Sequence, residues 1–175
     1  MKKFLKSFLS FAIVSSFAMA AGAAPSDAKT VLDAAVCKPP YSLDSSLKFY
    51  ESAERMAKRE LVDFIAVYKL KNPITSKDGL KTQALVVANN SYGILLDGSQ
   101  AEALAARFQL KPERRSVLRA AIIKGYSRAL ADAEQPSPET GVVSLAVREI
   151  HSFPGKTMLI CEMLTHSEIK ALQSY

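Results

Sequence analysis

Few residues in this chain have the types and spacing for chemistry. Asp97, Gly98 and Ser99 stand where an apolar run gives way to a helical pattern. At such a junction backbone N–H groups and the helix dipole can hold an anion, which makes Gly98 and Ser99 a candidate anion site. A turn glycine and a capping serine explain the same two residues. Phosphate-cradling loops carry more glycines and usually a lysine, and Ser99 lacks the flanking glycines of a nucleophile elbow.

The two histidines, His151 and His166, have Glu149, Glu162 and Glu168 nearby in sequence, the donor types of a zinc site. Neither has a second histidine at helical spacing, so the reading assigns them to a turn and a helix start. It assigns no metal, no cofactor and no catalytic residue. Pairs of carboxylates for hydrolysis meet only in the fold, and nothing in the sequence selects one pair.

Cys37 and Cys161 are the only cysteines. A nucleophilic Cys161 beside His151 or His166 would need a thiolate kept reduced. The expected alternative is a Cys37–Cys161 disulfide, because the chain opens with an export signal. Lys2, Lys3 and Lys6 precede an apolar run over residues 8–20, and Ala18-Met19-Ala20 or Ala21-Gly22-Ala23 offers the small residues of a cleavage site. Residues 1–23 are therefore expected to be a secretory signal peptide and 24–175 a single exported domain in an oxidising compartment, the periplasm or beyond.

Half of the formal charge of +6 leaves with that segment, so the remainder gives no whole-molecule case for nucleic acid. No stretch beyond it has the ~20 consecutive apolar residues of a membrane span. The local exception in charge is 111–128, where Lys111, Arg114, Arg115, Arg119, Lys124 and Arg128 face the single acid Glu113. On a continuous helix Lys111, Arg115 and Arg119 would line one edge. Lys111, Arg114, Arg115 and Arg119 are thus the candidate contact for an acidic protein or an anionic envelope component, against the plainer reading of a solvated face. Tyr92, near a predicted bend, is a further candidate for an exposed contact.

These residues need elements to position them. Segment 29–36 is apolar but of uncertain type. With Asp44 as N-cap, Leu47, Tyr50, Ala53, Ala57, Leu61 and Phe64 recur at steps of three and four, predicting an amphipathic helix. Runs 65–74, 83–88 and 92–96 read as a three-strand meander around Asn89-Asn90-Ser91. Ser99 and Glu102 match a capping box, opening a helix with Leu104, Ala105 and Phe108 inward that must stop before Pro112. Residues 116–131 are expected to be helical and 132–141 a polar loop. Segments 142–150 and 157–164 form a C-terminal hairpin around Phe153-Pro154-Gly155-Lys156, and Thr165 with Glu168 matches a second capping box.

The predicted class is α+β, one compact domain with a largely antiparallel sheet, a meander plus a C-terminal hairpin, packed with two to four helices. The expected function is an exported binding protein acting as inhibitor, immunity factor or adaptor. The alternatives are a small envelope hydrolase whose site forms only in the fold and a carrier of a small apolar ligand.

Overall fold

The computed structural model describes residues 25–113 and 122–173. Two helices, α1 (Pro25–Ala35) and α2 (Leu43–Met56), precede four strands, β1 (Arg59–Val62), β2 (Ile65–Thr75), β3 (Lys81–Ala88) and β4 (Ser91–Asp97). After α3 (Ala101–Phe108) come β5 (Lys111–Pro112), β6 (Ile122–Ala129), β7 (Gly141–Ile150), β8 (Lys156–Thr165) and α4 (His166–Gln173). The strands make one antiparallel sheet in the order β1-β2-β3-β4-β8-β7-β6-β5. Two four-strand meanders thus meet at the β4–β8 seam, giving an α+β domain.

Continuous apolar runs at the sheet centre show that both faces are covered. Leu85, Tyr92, Ile94, Leu145, Val147 and Leu159 alternate onto the face against the helices, joined there by Val31, Phe49 and Leu104. Val67, Val86, Leu95, Ala146, Met158 and Ile160 fill the opposite face with Phe153. The sheet bends over that second cluster. The β1–β2 turn reaches the β7–β8 turn, where the Ser152 hydroxyl donates to Asp63 Oδ2 at 2.7 Å. At the seam, a Cβ on Gly93 would lie 2.1 Å from the Leu159 carbonyl oxygen, so only glycine lets β4 and β8 approach this closely.

Several elements differ from the sequence reading. All of segment 29–36 but Val36 is part of α1, which Arg55 ties to α2 through Asp27 at 2.8 Å. The Arg55 hydrogen bond holds the Asp27 carboxyl below the usual carboxylate range. The cap of α2 is Ser42, not Asp44; Ser45 N–H donates to Ser42 Oγ, and Ser42 N–H donates to Ser45 Oγ. Its buried face is Ser45, Phe49, Ser52 and Ala53, while Leu47 is 55% exposed. Two serines sit inside because both have partners, Ser45 with the Tyr92 hydroxyl and Ser52 with the Arg55 guanidinium. The helix ends at Met56 because Ala57 turns extended, and Leu61 and Phe64 belong to the β1–β2 hairpin.

Residues 122–129 of the expected helix are strand β6, with partners on β7 from Ile122↔Ile150 to Ala129↔Ser144. Pairing along a long strand outweighs the weak helical period there. Lys111 lies in strand β5 opposite Ser127, so the continuous helix that would align Lys111, Arg115 and Arg119 does not form. The Ser99–Glu102 box is also replaced. The N-cap of α3 is Gln100, without a side-chain cap, and Glu102 instead pairs with Lys124 at 2.6 Å. The Thr165–Glu168 box is present at the start of α4, with both reciprocal hydrogen bonds.

Candidate functional site

The sulfurs of Cys37 and Cys161 lie 2.10 Å apart, bonding distance, joining the segment after α1 to β8. Cys161 faces Tyr92 across the seam. Tyr92 is buried rather than exposed. Its ring stacks between Tyr41 and Phe49, with centroids 5.1 and 4.8 Å away. Burial pushes its phenol up to about 12, against the opposing pull of the Ser45 hydrogen bond.

Gly98 and Ser99 stand at the N-terminal end of α3, and an anion is there: the carboxylate of Glu149. Ala101 N–H donates to Glu149 Oε1 at 3.1 Å, Ser99 Oγ donates to Oε2 at 3.3 Å, and Thr157 Oγ1 donates to Oε1 at 3.3 Å. The helix end is satisfied from β7, and the geometry serves packing. His151 is exposed in the turn after β7, and the His166 ring Nε2 meets the Pro138 carbonyl at 2.8 Å. Among the described residues no three His, Cys, Asp or Glu side chains gather as a metal site. Of the basic candidates, Lys111 is exposed on β5, while Arg114, Arg115 and Arg119 lie outside the described residues.

A charged cluster that the sequence did not announce lies on the second face. Arg148 grips Glu162 with two hydrogen bonds of 2.6 Å and reaches Glu113 at 2.7 Å. All three side chains are at most 14% exposed. Burial pulls the Arg148 guanidinium down, but the charges and hydrogen bonds of Glu162 and Glu113 outweigh it and raise its pKa above the ordinary arginine value. Glu113 gets there by crossing β6 at Gly125, where a Cβ would lie 2.3 Å from Glu113 Oε2. The carboxylates are fully engaged by the guanidinium, which makes this a stitch between β5, β7 and β8.

The residues left facing outward with unspent binding capacity are in the β1–β2 hairpin. Val62 and Ile65 pack into the second core cluster and anchor it. Beyond them the turn is only Asp63-Phe64, both left-handed at φ 46° and 69°. That conformation normally selects Asn-Gly, and a bulky residue there is strained. Phe64 is nonetheless 98% exposed and Leu61 70% exposed. Of the other exposed apolar residues, Leu43 and Leu47 lie on helix α2 and Ile123 lies at the bulge of β6. The hairpin combines an aromatic knob, an aliphatic neighbour and a sheet edge. No signal marked it in the sequence, since Leu61 and Phe64 fit the helical period of α2.

Comparison with family models, with curated proteins and with solved structures finds no match to this chain.

Proposed function

We propose that this is an exported binding protein that engages its partner through the β1–β2 hairpin. The observation that carries the reading is Phe64, placed almost wholly in solvent on a left-handed backbone. Burying nothing within its own chain, such a residue represents about 2 to 3 kcal/mol of apolar burial unused in the monomer. Strained backbone residues concentrate at functional sites, among them ligand clamps and switch regions. Export is supported by the lysine-led apolar segment before residue 23 and by two cysteines at bonding distance, an arrangement suited to oxidising compartments.

The test is site-specific photo-crosslinking in the producing cell, with a benzophenone side chain at position 64 and a control at Lys77 in the β2–β3 connection. A discrete adduct formed from position 64 and absent from the control supports the reading. Equal, diffuse labelling from both positions refutes it. Fractionation of the same cells checks export, which requires the shortened chain to leave the cytoplasm.

A further inference from the structure

We propose that β1 pairs antiparallel with the β1 strand of a second copy of this chain, centred on Leu61, to form a two-fold dimer with one continuous sheet.

The two edges of the sheet are built differently. At one end β5 has two residues, one of them Pro112, which has no N–H to offer a neighbour. At the other end β1 has four residues and no proline, and three of the four are exposed. A two-residue turn is closed by a hydrogen-bonded pair, here Val62↔Ile65, and such pairs alternate along an antiparallel ladder. Glu60↔Val67 is therefore the next bonded pair, and Arg59 and Leu61 direct their main-chain groups away from β2. Those are the groups a second strand would use.

The side chains select which strand that is. Lys58 and Arg59 stand at the start of β1, Asp63 and Phe64 at its end, so the edge is basic at one end and acidic and aromatic at the other. Among the described residues neither Lys58 nor Arg59 is in an ion pair, whereas Glu60 is neutralised by Lys69 at 2.6 Å. An identical strand running in the opposite direction, centred on Leu61, sets Leu61 against Leu61 and brings Arg59 beside Asp63 at the turn that ends the other strand, twice. Like charges never face each other in this register. Shifting it by one residue to centre on Glu60 would oppose the two Glu60 carboxylates. Leu61 also points its outward groups across the two-fold axis, as a bonded pair requires. With an edge of four residues the contact falls below the ~1,200 Å² of a standard interface, so association is weak and depends on concentration.

The inference rests on the reading of the hairpin as a contact surface and names the partner. The experiment is sedimentation velocity of the purified exported chain from about 1 µM to about 1 mM. The expected result is a monomer–dimer equilibrium within that range. Leu61→Pro, which deletes an N–H that β2 does not use, should leave a monomer with a wild-type circular dichroism spectrum. Arg59→Glu and Asp63→Arg should each weaken the dimer at least tenfold, and combining the two should restore most of it. Ser152→Ala, which frees Asp63 from its tether without touching the edge, should leave the dimer intact. A wild-type chain that stays monomeric throughout, or a dimer indifferent to these edge variants, overturns the proposal. If the chain is monomeric yet position 64 crosslinks to a different protein or to lipid, self-pairing fails while the hairpin remains the contact surface.

Discussion

Replacing Arg148 by methionine tests whether the buried charge cluster is a structural stitch. Among the described residues the guanidinium is the only cation between Glu113 and Glu162, whose side chains are 10% and 7% exposed. Its removal strands two carboxylates out of water and facing one another. Breaking a buried pair from one side costs about 3 to 5 kcal/mol, a large part of the ~5 to 15 kcal/mol that holds a domain of this size. The melting temperature should fall by roughly 10 to 20 °C. The chain has no tryptophan, so urea unfolding is best followed by far-ultraviolet circular dichroism. A triple variant, Arg148→Met with Glu113→Leu and Glu162→Leu, should regain most of the loss, since apolar replacement of a whole buried ion cluster is often neutral. A single-variant loss under about 1 kcal/mol, or a triple variant no more stable than the single one, would refute the reasoning.

Converting Cys37 and Cys161 to serine should cost up to about 4 to 5 kcal/mol, because the bridge spans 124 positions; denaturant melts with and without reductant check this. Glu149→Ala should lose about 1 to 3 kcal/mol by orphaning the Ala101 N–H, whereas Glu149→Gln, which keeps an acceptor at Oε1, should lose less than half as much. For Tyr92 the folded chain holds its phenolic proton up to about 12, above the ordinary value near 10. Its contribution is therefore complete below pH 10 and is lost as pH rises through 12. Alkaline denaturation followed by phenolate absorbance should show unfolding in that window, moved to higher pH in Tyr92→Phe.

The elements that read correctly from sequence are those whose signals are local. The turn at Asn89-Asn90, the hairpin around Pro154-Gly155 and the Thr165–Glu168 box each lie within a few residues, and each is present in the fold. What misled were residues whose partners are distant. Ser45 looks like a solvent-facing position until Tyr92, 47 positions away, is placed beside it, which turns α2 about its axis. The anion at the start of α3 comes from Glu149, 48 positions downstream of Ala101, so no local pattern around Gly98 and Ser99 contains it. Phe64 matched a helical period by coincidence, and its turn lacks the glycine or asparagine that would have flagged a hairpin. The arginines at 114, 115 and 119 lie outside the described residues, and Lys111 of that set is in the sheet, in β5.

The β4–β8 seam also sets a timetable for synthesis. Ribosomes deliver the chain from its N-terminus, so α1, α2 and the first meander are complete long before β8 is made. Until then β4, destined for the middle of the sheet, is an open border, and Cys37 has no sulfur to meet. The second meander must be laid down before residues 156–165 can close that border, over a sequence span that makes the final zippering a high-contact-order event. A chain built this way stays pliable through most of its manufacture and commits to its shape only when its last strand arrives.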